Sequence, residues 1–203
     1  MGCALEPGPA RDLVWVAEEL LRWNDKVNLT SIRALPAVIE KHLVDSLALV
    51  PHVAPATSLL DVGTGAGFPG LPLSVASPAL RVQMVDSVAK KVGFSKQVIA
   101  HLKLAPRVVA THLTLGKEPK GHFPGGFELV VSRALMDPAA WLALALPYVA
   151  PGGRVAAMLA QRFDDREVAQ VAADAGVELV ELRRFTLPVS GEPRAIAIFR
   201  PTR

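Results

Sequence analysis

Cysteine occurs once, at Cys3, so no internal disulfide can form and no cysteine cluster can hold zinc. His42, His52, His101, His112 and His122 show no metal-ligand spacing with one another or with Cys3. Aromatic residues are 5% of the chain, too few for a platform on which bases stack. The longest apolar stretch, Ala139 to Ala150, is interrupted by Pro147 and falls short of the roughly 20 residues that cross a bilayer. No secretory leader is visible; Met1-Gly2 opens like a myristoylation site, but Glu6 stands where Ser or Thr is required. Ser190 has no G-x-S-x-G context. These absences predict a soluble, cytoplasmic monomer that uses neither membrane nor metal.

What is present suits one α/β unit with a full core: 203 residues, 51% of them hydrophobic. The Gly/Pro-rich residues 1–9 predict a loose terminus. Residues 10–24 carry Leu13, Val16, Ala17, Leu20 and Leu21 on one helical stripe. A polar connector follows to Arg33, then a helix over 35–50 with Pro36 in its first turn. On that helix His42, Asp45 and Ser46 share a face. From Ser58 strands and helices alternate. The predicted strands are 58–62, 81–85, 107–111, 127–132, 153–158, 177–185 and 194–199; the predicted helices are 70–76, 88–103, 138–147 and 164–175. This alternation predicts a seven-stranded, mostly parallel, Rossmann-like sheet covered on both faces. Leu187 to Gly191 joins the last two strands without a helix, which predicts a closing antiparallel hairpin. We expect residues 1–54 as a helical extension packed on a core of 55–203, and Lys117 to Gly126 as a mobile flap.

The chain is organised around Ser58-Leu59-Leu60-Asp61-Val62-Gly63-Thr64-Gly65-Ala66-Gly67-Phe68-Pro69-Gly70. An apolar run ends in an acid, and glycines follow in a turn that lets backbone approach a ligand closely. Two readings share these residues. Gly65-x-Gly67-x-x-Gly70 matches the dinucleotide fingerprint, although Pro69 offers no N–H where a pyrophosphate would need one. Asp61-x-Gly63-x-Gly65-x-Gly67 matches the loop of S-adenosylmethionine (SAM) methyltransferases, which need hold only an uncharged ribose and a zwitterionic amino acid. Asp86 ends the second strand and can accept both ribose hydroxyls of either cofactor, or cap the following helix with Ser87 as its rival. Leu113-Thr114 follow the third strand, within reach of an adenine. Arg133 ends the fourth, where it can meet a carboxylate or a phosphate. Lys90 and Lys91, beside Asp86, are RNA candidates, and the net charge of +3 permits such a partner.

The chain resembles the bacterial small-subunit rRNA guanine-N7 methyltransferases, also called glucose-inhibited division protein B, from about Trp23 to Phe199. Trp23-Asn24, Asn28-Leu29-Thr30, Lys41-His42 with Asp45-Ser46, the glycine loop with its Pro69-Gly70, Asp86-Ser87, Lys90-Lys91, Phe94 and Ser132-Arg133-Ala134 carry the resemblance. It implies transfer of a methyl group from SAM to N7 of a guanosine in 16S ribosomal RNA, naked or within the small subunit. The cofactor would lie against Asp61, Gly63, Gly65, Gly67, Phe68, Asp86, Leu113, Thr114 and Arg133. Asn28, His42, Lys90, Lys91 and Arg194 would contact RNA, and Asp45 is the candidate catalytic carboxylate. Two positions depart from the family: Thr114 replaces an acid, and Leu159-Ala160 replaces Lys-Gly. Two alternatives stay open, a SAM enzyme acting on another RNA or a small molecule, and a nicotinamide-dependent oxidoreductase.

Overall fold

The computed structural model describes residues 5–118, 122–133, 136–160 and 163–202. Cys3, Ala134 and part of the expected flap fall outside them. The first helix, α1 (Pro7–Val27), begins earlier than its sequence predicts. Residues 7–9 are helical because Pro7 occupies the first position, where its fixed φ suits the helix and its missing N–H is no loss. The helix ends at Asn28, which adopts φ 48° and donates its N–H to Asn24 O. Asn tolerates this left-handed conformation better than most residues.

The helix predicted over 35–50 is interrupted. α2 (Leu35–Val38) passes into a π-helical turn, Ile39–Val44, then α3 (Asp45–Leu47), and α4 (Val50–Val53) follows separately. Such π turns tend to mark functional positions, and this one carries Lys41 and His42 and delivers Asp45 at its end.

The strands are β1 (Ser58–Val62), β2 (Arg81–Asp86), β3 (Val108–His112), β4 (Phe127–Arg133), β5 (Val149–Ala160), β6 (Val177–Thr186) and β7 (Pro193–Pro201). They form one sheet in the order β3-β2-β1-β4-β5-β7-β6. β1 to β5 are parallel, and β7 lies antiparallel between β5 and β6. The connecting helices are α5 (Gly70–Ala76), α6 (Ala89–His101), α7 (Pro138–Ala145) and α8 (Asp165–Asp174). Pro147 shortens α7, whose predicted end becomes a 3₁₀ turn at Leu146–Tyr148.

Alternate strand residues feed two cores, as a pleated sheet requires. Leu59, Met84, Leu129, Val131, Ala156 and Ile198 pack against α1, α5, α6 and the 35–53 segment. Leu60, Val85, Val130, Val155, Ala157 and Phe199 pack against α7 and α8. Trp23 of α1 meets Phe94 of α6 edge-on, with ring centroids 5.6 Å apart.

Strand order reverses between β1 and β4, the switch point at whose carboxyl edge such sheets bind ligands. Register brings Arg133, Met158 and Ile196 side by side there, with Arg194 opposite Ala160. The glycine loop leaves β1 on the same edge.

Leu20 of α1 is fully buried in the first core. Leu20→Ala should therefore cost about 2–5 kcal/mol, with helix and sheet probes still unfolding together in urea. N-terminal helices that melt at lower denaturant than the sheet would make them a separate unit.

Candidate active site at the carboxyl edge of the sheet

The glycine loop is braced from beneath. Asp61 is fully buried at the end of β1. Its Oδ2 accepts the Thr64 hydroxyl at 2.5 Å and the Gly70 N–H at 2.8 Å. The second bond satisfies one of the free N–H groups at the start of α5 with a negative charge. Asp61 Oδ1 is buried without a partner. Burial pushes the Asp61 carboxyl up to about 6, against the pull of Thr64 and Gly70.

The glycines divide by role. At Gly67 (φ 90°) a Cβ would lie 2.2 Å from Leu71 Cδ1, and at Gly70 it would lie 2.7 Å from Met84 Sδ and 2.8 Å from Asp61 Oδ2. These two glycines serve close packing. At Gly65 (φ 61°) a Cβ would meet nothing within 4 Å. There the backbone faces open space, and its left-handed conformation still favours glycine.

Asp86, almost fully buried at the end of β2, faces Gly65. Its Oδ2 accepts the Gly65 N–H and its Oδ1 the Val88 N–H, both at 2.8 Å. The helix cap of α6 is Val88 rather than Asp86 or Ser87. Leu113 donates its N–H to the Asp86 carbonyl at 3.0 Å, which anchors the segment after β3, and Thr114 is exposed beyond it. Lys90 is exposed and Lys91 half-buried in the first turn of α6.

A second cluster centres on Arg133. Its Nη1 donates to Lys41 O and its Nη2 bonds His42 Nδ1, each at 3.0 Å. The guanidinium carbon lies 5.6 Å from the Phe68 ring centroid. His42 stacks on Phe68, with centroids 4.7 Å apart and 12° between planes. Because Arg133 can only donate, His42 Nδ1 accepts, and His42 Nε2–H is left to donate to Thr30 Oγ1 at 3.1 Å. Burial, reinforced by Arg133, pushes His42 down to about 3, so the ring is neutral.

Asp45 is 4% exposed. Its Oδ2 lies 3.6 Å from Arg133 Nη1 and 3.5 Å from Arg194 Nε, and its Oδ1 is buried with no hydrogen-bond partner. Burial raises its pKa, and the two arginines oppose that shift. His42, Asp45, Arg133 and Arg194 line a cavity of about 530 Å³ together with Lys41, Met158, Leu159 and Glu192. Lys41 pairs with Glu192, which also accepts from Arg194 Nη2 at 2.9 Å. Glu40 Oε1 accepts the N–H groups of Val189 and Ser190, fastening the β6–β7 loop to the helical segment.

The fold thus gathers His42, Asp45, Phe68, Arg133 and Arg194 in one cluster, and Asp61, Gly63, Gly65, Gly67, Asp86 and Leu113 in a neighbouring one. Asn28 joins neither; it caps α1, and its Oδ1 accepts from Arg33 at 3.0 Å. Asn28 is exposed and caps the helix outside the cavity, where the RNA contact expected of it would fall. Asn24 is the residue that the sequence reading missed. It is buried; its Oδ1 accepts the N–H groups of Leu29 and Thr30, and its Nδ2 donates to Thr30 O, which sets Thr30 against His42. The signal was an Asn on the apolar stripe of α1, four residues after Leu20. Lys41 and Glu192 were likewise not anticipated as cavity residues.

A switch-point loop of this kind beneath a seven-stranded sheet with an inserted antiparallel strand is the architecture of SAM-dependent methyltransferases. The 1,6-didemethyltoxoflavin-N1-methyltransferase of Burkholderia thailandensis, solved with S-adenosylhomocysteine, matches at a TM-score of 0.64 and 17% identity, covering 100% of this chain and 93% of that one. The model of one family, rRNA small subunit methyltransferase G, matches residues 10–192, and the chain belongs to that family. Relatives named ribosomal RNA small subunit methyltransferase G come from Myxococcus xanthus, 49% identical over 89% of this chain and 83% of that protein, and from Geobacter sp. strain M21, 38% identical over 98% and 91%. No helix among the described residues is long and apolar enough to cross a membrane, and those residues contain no cluster of three metal-ligating side chains.

Two buried groups titrate in opposite senses. His42, ordinarily 6.5 and here about 3, binds fewer protons in the folded chain, so its stabilisation is complete above pH 6.5 and is lost as pH falls toward 3. Asp61, ordinarily 3.8 and here about 6, binds more protons when folded, so its contribution is greatest below pH 3.8 and is lost as pH rises through 6. Between about pH 6 and pH 4 the two slopes offset each other. Asp61→Asn should remove the Asp61 slope that opposes that of His42, and its urea midpoint should then drop more steeply with acidification than that of the wild type. Parallel profiles would show that Asp61 is not raised.

Proposed function

We propose that this protein transfers a methyl group from SAM to N7 of a guanosine in small-subunit (16S) ribosomal RNA, as a cytoplasmic monomer. Membership of the rRNA small subunit methyltransferase G family carries the reading. The residues present fit SAM. Gly65 faces open space, and Asp86 sits beside it at the rim.

We assign the cofactor to Gly63, Gly65 and Phe68, with Asp86 on the ribose, the Leu113-Thr114 segment on the adenine and Arg133 on the amino-acid carboxylate. Asp61, Gly67 and Gly70 act beneath it by holding the loop. The same loop disfavours a dinucleotide. Gly65, Gly67, Phe68 and Gly70 already give their N–H groups to Asp86, Thr64 and Asp61, and Pro69 has none, so few donors remain for a pyrophosphate.

Bound there, SAM supplies a methyl group carried on a positively charged sulfur. Guanine N7 is a lone-pair acceptor. It forms the new N–C bond without losing a proton, while the electron pair of the broken S–C bond stays on sulfur. The enzyme therefore needs no general base. Its residues need to align N7 with the methyl, an effect worth up to about 7–11 kcal/mol in well-oriented systems. We place the guanine in the cavity bounded by His42, Asp45, Leu159 and Arg194. Neutral His42 offers a flat, uncharged edge there. The Asp45 carboxylate faces the positive charge that the purine gains, and an electrostatic group aimed at developing charge lowers the barrier. Lys90 and Lys91 at the rim suit backbone phosphates. Leu159 supplies no charge where the family carries Lys, so RNA attraction in this chain rests on Lys41, Arg194 and the α6 lysines.

Small-subunit rRNA from cells lacking the protein should be missing one 7-methylguanosine by mass spectrometry, restored by the wild type and not by Asp86→Ala. In calorimetry Asp86→Ala should weaken SAM binding about tenfold to hundredfold, the scale of lost hydrogen bonds to a charged group. Binding of NAD in place of SAM, or an unaltered rRNA, would reject the proposal.

A further inference from the structure

We propose that the free Oδ1 of Asp45 accepts the N1–H and 2-amino donors of the target guanine, so that this carboxylate selects guanine over adenine and tightens its hold as N7 is methylated. The inference rests on the rRNA methyltransferase reading above and adds the group that recognises the base.

Asp45 is divided between two tasks. Its Oδ2 is turned toward Arg133 and Arg194, at 3.6 and 3.5 Å, while Oδ1, on a residue that lines the cavity, is buried and has no hydrogen-bond partner among the described residues. A buried acceptor left without a donor costs about 1–3 kcal/mol, and such groups in native proteins call for an explanation. The cavity's other polar groups do not supply the donor. The hydrogen bonds of Arg133 run to Lys41 O and His42, those of Arg194 to Pro193 O and Glu192, and that of Lys41 to Glu192, and none of them runs to Oδ1. Among the described residues nothing donates to Oδ1, so a donor on a ligand can take that place.

Guanine fits this vacancy. Its N1–H and 2-amino group stand side by side on the Watson–Crick edge, and one carboxylate oxygen has lone pairs for both. Adenine places the N1 lone pair at that position, which a carboxylate repels. The Watson–Crick edge is also remote from N7, so recognition leaves the nucleophile unobstructed. The edge is available only when the base is unpaired, the state in which single-stranded RNA is read. As N7 becomes cationic, N1–H becomes a stronger donor. The Asp45 contact then strengthens on the way to the transition state, and only such a differential interaction raises the chemical rate.

The test pairs enzyme variants with base analogues at the guanosine located by mass spectrometry, in otherwise identical reconstituted small subunits. Inosine removes the 2-amino group, and 2-aminopurine removes N1–H; both keep N7. Wild-type kcat should fall about 10–100-fold on each analogue, the factor that corresponds to hydrogen bonds to a charged group. Asp45→Ala and Asp45→Asn should fall by a similar factor on guanosine. In Asn, the two arginines draw the amide oxygen and leave its NH2 facing the donors. Each variant should then treat the three bases within about threefold of one another, since the missing contact is lost only once. This cycle cancels intrinsic differences in N7 reactivity. SAM affinity by calorimetry should stay within about twofold of wild type, which also reports that the fold is intact. Full analogue penalties that persist in both variants would overturn the inference, as would equal wild-type rates on all three bases. A loss of SAM affinity that matches the loss in kcat/KM would assign the acceptor to the amino group of the cofactor instead. If wild type fails to methylate guanosine subunits, the parent reading falls, an outcome distinct from any of these.

Discussion

One guanidinium joins the two halves of this molecule. Arg133 stands on the last residue of β4 yet spends its hydrogen bonds on the π-helical turn of the N-terminal segment, at Lys41 O and His42 Nδ1. It also lies over Phe68 of the glycine loop and faces Asp45. Sheet, loop and helical extension therefore share a single cation. Charge-assisted hydrogen bonds are stronger and shorter than neutral ones, and a planar donor fork fixes direction as well as distance. The position of β4 at the switch point makes this possible, because its carboxyl end lies beside that of β1, from which the glycine loop departs.

Around that cation the protein retains costs that a purely structural interior would avoid. Two carboxylates, Asp45 and Asp61, are buried, and each keeps one oxygen that has no donor among the described residues. Both are held from their other oxygen, Asp61 by hydrogen bonds and Asp45 by the flanking arginines. Each acceptor is thus oriented before any ligand arrives. Preorganised polar groups in a water-poor pocket act more strongly than the same groups in water, and local strain or frustration of this kind collects at functional sites.

The fold was largely legible because its signals are local. Strand–helix alternation gave all seven strands and the four helices between them to within a few residues, apart from an early start to β5, and the helix-free Leu187–Gly191 connection gave the antiparallel end. Two local conflicts were misjudged. The Gly/Pro-rich composition of residues 1–9 predicts a loose terminus although proline suits a first turn, and the 35–50 pattern does not reveal the π turn. At the site, residues ending strands were found because topology alone aims them at the switch point. Asn24 stayed hidden because an Asn can cap a helix, touch a ligand or organise a loop, and only three-dimensional partners separate these roles. The pairing of Lys41 with Glu192 joins residues 151 positions apart, a separation on which periodicity is silent.

The reversed direction of β7 has a further consequence. Parallel strands present their carboxyl ends to the reactive edge, whereas β7 presents its beginning there, with Arg194 and the loop before it. That loop is fastened to the helical segment by Glu40 and takes no part in the glycine turn. Changes in its length or composition can consequently remodel that side of the cavity while leaving the glycine turn intact. The architecture separates the glycine turn from the loop that carries Glu192 to the cavity.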